Sequence, residues 1–64
     1  MKLIINGKEE IFEKKLTIQA LLEEKKVKFA AVELNDAIID RDKFAETEIK
    51  DGDKVEIVVF LGGG

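Results

Sequence analysis

Asn6-Gly7, set between Lys2-Leu3-Ile4-Ile5 and Lys8-Glu9-Glu10-Ile11, constrains the architecture of this chain more than any other pair of residues. A two-residue hairpin loop of type I′ needs positive φ at both central positions, and Asn followed by Gly accepts this most readily. With that loop Ile5 stands opposite Lys8, Leu3 opposite Glu10 and Met1 opposite Phe12. Strand side chains alternate between faces, so Met1, Leu3, Ile5 and Phe12 share one face, and Ile4 and Ile11 share the other. The first set is the expected core side. Glu10 falls on it too and has to lie near the rim to stay hydrated.

At Leu16-Thr17-Ile18 the apolar period changes from two to 3.6. Thr17 suits an N-cap, and Leu16 before it can pack on Leu21 as a hydrophobic staple. Ile18, Leu21 and Leu22 form one stripe while Gln19, Glu23 and Glu24 face water. The spacing predicts an amphipathic helix of about two to three turns. Lys25 and Lys26 fall near its end, where positive charge complements the helix dipole.

Residues 29–34 read as a third strand with Val32 and Leu34 on one face, broken by Asn35-Asp36, and residues 37–39 as a short fourth. Residues 40–46 carry too few apolar positions for a full helix, which predicts a helical turn anchored by Phe44, with Ile49 as a second anchor. Asp51-Gly52-Asp53 signals a turn before the last strand, residues 54–60, in which Val55, Ile57 and Val59 share a face. The expected core is Leu3, Ile5, Phe12, Leu16, Ile18, Leu21, Leu22, Val32, Leu34, Val55 and Ile57. The order closes if the helix covers one face of a mixed sheet with the first and last strands parallel at its centre, because central strands need the most continuous apolar runs. This is an α+β, β-grasp (ubiquitin-like) arrangement.

A chain of 64 residues is one small domain, burying only about 60% of its unfolded surface, with little room for a deep cleft. Cys, His, Ser and Tyr are absent, and the only side-chain hydroxyls are Thr17 and Thr47, with no imidazole to activate them. A hydrolase triad is excluded, and so is a thiolate metal site. The carboxylate pairs Asp51 with Asp53 and Glu9 with Glu10 would need a cleft to tune them. Residues 36–42 lack the glycine and closing glutamate of an EF-hand loop. No metal and no cofactor of its own are therefore expected. The formal charge of −3 argues against nucleic acid, which needs clustered Lys and Arg, and Lys14-Lys15 and Lys25-Lys26 sit beside acids. The opening apolar run is too short for a signal peptide or a membrane span. A cytoplasmic protein, monomeric when free, is the expectation.

Val58-Val59-Phe60-Leu61 runs directly into Gly62-Gly63-Gly64. Residues 1–61 are the expected domain and 62–64 a flexible arm ending in a carboxylate. Glycines are what a narrow partner tunnel would require if that carboxylate is the reacting group; a plain linker is the other reading. By strand parity Val58 and Phe60 lie on the face the helix leaves bare, and with Leu61 they form an apolar patch at the root of the arm, a mark of a partner site.

Taken together, Asn6-Gly7, Thr17-Ile18 with Leu21-Leu22, Ala31-Val32-Glu33-Leu34-Asn35, Ile38-Ile39 with Arg41, Phe44-Ala45, Asp51-Gly52-Asp53, Val55-Glu56-Ile57-Val58 and the three glycines resemble the ThiS family of sulfur carriers in thiamine thiazole biosynthesis, over essentially the whole chain. Asp40 departs from a position often occupied by proline in that family, and Phe44 from one where tryptophan is common. The resemblance implies a protein cosubstrate, not an enzyme. A ThiF-type adenylating enzyme would use ATP to form an acyl adenylate at Gly64, and a sulfur donor protein would displace AMP to leave a thiocarboxylate. Gly62 and Gly63 would thread the partner's active site, and a ThiG-type thiazole synthase would accept the sulfur. The small subunit of molybdopterin synthase shares this chemistry but usually runs longer. A ubiquitin-like modifier and a plain interaction module are the readings without sulfur chemistry.

Overall fold

The two strands flanking Asn6-Gly7 pair as the turn requires, in a computed structural model that describes residues 1–60. β1 (Lys2–Ile5) and β2 (Lys8–Ile11) are antiparallel, with Leu3 opposite Glu10 and Ile5 opposite Lys8. Asn6 and Gly7 have φ of 49° and 83°, the positive pair of a type I′ turn. The Met1 ammonium donates to the Phe12 carbonyl, and the Phe12 N–H returns a bond to the Met1 carbonyl at 2.8 Å. Glu10, half-buried at the rim, takes an ion pair from Lys25 at 2.9 Å.

β3 (Leu16–Thr17) leads into the only α-helix among the described residues, α1 (Ile18–Glu24). The Thr17 hydroxyl accepts from the Ala20 N–H at 3.1 Å, satisfying one of the donors a helix start leaves unpaired. At the other end the N–H groups of Lys26 and Val27 donate to the carbonyls of Glu23 and Leu22. That is a Schellman closure, with Lys26 at φ 58° where glycine is usual.

A second hairpin joins β4 (Ala30–Leu34) to β5 (Ala37–Ile39) through Asn35 and Asp36, at φ 50° and 71°. The 3-10 turn Arg41–Lys43 follows, then β6 (Glu48–Ile49), which pairs with β3, and finally β7 (Lys54–Val59). The main sheet runs β2-β1-β7-β4-β5, with β7 parallel to β1 and antiparallel to β4. The sequence expectation of a β-grasp sheet with its last strand central is met. Both hairpin turns also hold that strand. Asn6 Oδ1 accepts from the Ile57 N–H at 2.7 Å and Nδ2 donates to the Ile57 carbonyl at 3.1 Å. Asn35 Oδ1 accepts from the Lys54 N–H at 2.9 Å.

The core is Leu3, Ile5, Leu16, Ile18, Leu21, Leu22, Val32, Phe44, Ile49, Val55 and Ile57. Phe12 and Leu34, expected inside, are only partly buried against it. Phe44 and Ile49 are fixed because residues 44–47 cross the start of the helix: the Phe44 and Thr47 carbonyls accept from the N–H groups of Gln19 and Ile18, each at 3.0 Å. Val59 has the parity of the core face yet is 46% exposed. β1 leaves the ladder at Asn6, so among the described residues no strand flanks Val59 on that side. No helix among the described residues is long and apolar enough to cross a membrane.

Candidate functional site

One helix can cover one face of a sheet, and the consequence is read along β7. Val55 and Ile57 point to the helix and are buried; Glu56, Val58 and Phe60 point the other way. The register with β4 sets Val58 opposite Ala31 and Glu56 opposite Glu33. One step further the Phe60 N–H donates to the Phe29 carbonyl at 3.1 Å, so Phe29 and Phe60 also face each other. The uncovered face therefore carries three rungs, each about 7 Å from the next. Phe29·Phe60 is aromatic, Ala31·Val58 aliphatic and Glu33·Glu56 acidic. Phe29 and Phe60 are 60% and 58% exposed, and Ile38, opposite Glu33 on β5, is 77% exposed. The Arg41 guanidinium stands 6.0 Å from the centre of the Phe29 ring, within the reach of a cation–π contact.

Polar groups mark the far end of this face. Lys54 Nζ lies 2.7 Å from an Asp36 carboxylate oxygen. That hydrogen bond, with the Asp36 charge and smaller contributions from Glu56 and Glu33, holds the Lys54 ammonium above its ordinary range. Glu33 and Glu56 are half-buried, and neither has a cation within ion-pair distance among the described residues.

The chain's hydroxyls are committed elsewhere. Thr17 caps the helix, and the Thr47 hydroxyl donates to the Lys43 carbonyl at 2.7 Å. Among the described residues no three His, Cys, Asp or Glu side chains are grouped to hold a metal ion. The uncovered face is mixed apolar and acidic and leads to the end of β7.

Of the residues expected at a docking patch, Val58 and Phe60 lie on the uncovered face and exposed. Leu61, Gly62, Gly63 and Gly64 lie outside the described residues. Phe29 and Ile38 are the members that sequence reasoning missed. The parity that exposes Val58 also applied to Phe29, two positions before Ala31, but only the β4–β7 register shows that Phe29 meets Phe60.

Against known proteins, residues 3–64 match the model of the ThiS family. The chain is 47% identical over 66 aligned positions to a thiazole synthase of Paramagnetospirillum magneticum, an alignment spanning all of this chain but only 20% of that protein. It is 42% identical over 63 positions to the sulfur carrier protein ThiS of Bacillus subtilis, covering 94% of this chain and 96% of that one. The crystal structure of the thiamine biosynthesis protein ThiS from Geobacter metallireducens superposes over the full length of both chains, with a TM-score of 0.85 at 39% identity. The solution structure of a thiamine biosynthesis protein from that organism gives 0.84, also at 39% identity and over 88% of its chain.

Proposed function

The chain belongs to the ThiS family, and from that premise we propose that it carries sulfur for thiamine thiazole biosynthesis on the carboxylate of Gly64. A ThiF-type partner supplies the site in which the carboxylate attacks the α-phosphorus of ATP, releasing pyrophosphate and forming an acyl adenylate. Sulfur from a donor protein displaces AMP, and the resulting thiocarboxylate passes its sulfur to a ThiG-type thiazole synthase. The chain is a cosubstrate throughout.

The observation that carries this reading is the position of the bare apolar rungs. Phe29·Phe60 and Ala31·Val58 stand at the end of the sheet from which the sequence continues into the glycines. A partner seated on those rungs, over Val58 and Phe60, would have the sequence continue from its edge through Leu61 into Gly62, Gly63 and Gly64. In this reading residues 1–61 are the grip and 62–64 the arm. Positioning of a reacting group can supply several orders of magnitude in rate. A β-branched side chain next to the terminal residue stiffens and widens the arm.

ATP–pyrophosphate exchange with the cognate adenylating enzyme tests this. Gly63→Val and a chain lacking residues 63–64 should lose exchange by a factor of about 100 or more while keeping the wild-type thermal midpoint. With ATP and a sulfur donor, the intact mass of the wild type should rise by the difference between a sulfur and an oxygen atom. Equal exchange by all three chains would overturn the assignment of Gly64.

A further inference from the structure

The acidic rung is the part of the bare face that folding does not explain. Like charges directly opposite each other on a sheet face destabilise it, yet Glu33 and Glu56 are cross-strand partners between β4 and β7. Neither makes a side-chain hydrogen bond or an ion pair among the described residues. Lys54, whose ammonium both glutamates help to keep charged, makes its ion pair with Asp36 at 2.7 Å and not with either of them. Ile38 flanks Glu33 on the β5 side, and Val58 follows Glu56 along β7. The result is a half-buried pair of carboxylates with an apolar border, set two rungs from the aromatic pair.

Resting on the reading above, we propose that the Glu33·Glu56 rung receives a basic side chain of the adenylating enzyme, an arginine by geometry. The planar fork of a guanidinium can bond two carboxylates at once, which an ammonium does less well. The apolar rungs alone would let the carrier rotate or slide on a greasy surface. A charge-assisted contact about 13 Å along the strands from Phe29·Phe60 supplies a second fixed point, and two points define an orientation. The end of β7 is then aimed as well as held. This assigns specificity to the acidic rung and adhesion to the apolar ones.

The test separates binding from folding, because the two should move in opposite directions. The equilibrium Kd for the adenylating enzyme is measured calorimetrically at low and high salt for the wild type, Glu56→Gln, the Glu33→Gln/Glu56→Gln double variant and Glu33→Lys. The double variant should bind about tenfold more weakly at low salt, with a shallower salt dependence and a thermal midpoint no lower than wild type. Glu33→Lys should be weaker still. An unchanged Kd in the double variant, or a Kd that rises only where the thermal midpoint drops, overturns the proposal. Exchange in the same samples keeps the two readings apart. Loss of exchange on tail truncation with an unaltered double-variant Kd removes the acidic rung alone. Unaltered exchange on truncation with a weakened double-variant Kd removes the Gly64 assignment and leaves the rung.

Discussion

The two faces of the central sheet are made from the same strands by alternate residues, and they differ in almost everything else. On the helix side Leu3, Ile5, Val32, Val55 and Ile57 are buried with Ile18, Leu21 and Leu22. On the other side Phe29, Ile38, Val58 and Phe60 are each more than half exposed. Hydrophobicity alone does not separate these sets; whether the single helix lies over them does. In a domain this small the apolar content of one face reports on stability and that of the other, in the function proposed above, on recognition.

Substitutions that discriminate between the faces sharpen this contrast. The largest effect belongs to the covered face. Leu21 is fully buried, and Leu21→Ala should cost about 2–5 kcal/mol, a large share of the stability of a small domain. Chemical denaturation reads it, and an unchanged midpoint would mean that the helix does not seal this core. Phe60→Ser, on the bare face, should shift folding stability by no more than about 0.5 kcal/mol. It should weaken docking on the adenylating enzyme by about 1–2 kcal/mol, seen as a higher apparent KM in exchange. A loss of stability as large as that of Leu21→Ala would erase the distinction between the faces. The smallest effect lies off both. Lys26 occupies a left-handed conformation that costs side-chain-bearing residues, so Lys26→Gly should raise stability by about 0.5 kcal/mol without altering exchange.

Local physics was legible in the sequence. Asn6-Gly7 specified its own turn and the register of β1 with β2, Thr17 its cap, and alternation the two faces of β7. Phe44 and Ile49 were legible as anchors because they are isolated apolar residues in a polar stretch, although their contact with the start of the helix was not. What escaped depends on pairing between distant segments. The short β3–β6 ladder, the meeting of Phe29 with Phe60 and the opposition of Glu33 to Glu56 all follow from registers that no local pattern encodes. Val59 shows the limit of alternation: parity gives a direction, but burial also needs a neighbour. The tail residues Gly62, Gly63 and Gly64 were singled out for want of any packing role, an argument from composition alone.

The clamping of β7 by both hairpin turns has a mechanical consequence. A partner that draws in the end of this strand pulls along its axis. β1 grips the strand on one side through the Asn6 and Val55 backbone bond and the Asn6 carboxamide, and β4 grips it along its length on the other. Such a load runs perpendicular to the interstrand hydrogen bonds, which share it in shear and do not open one after another as a zipper would. The strand that leads to residues 61–64 is thus anchored like a rod glued along both sides, and in the function proposed above tension on its end is balanced by the whole sheet.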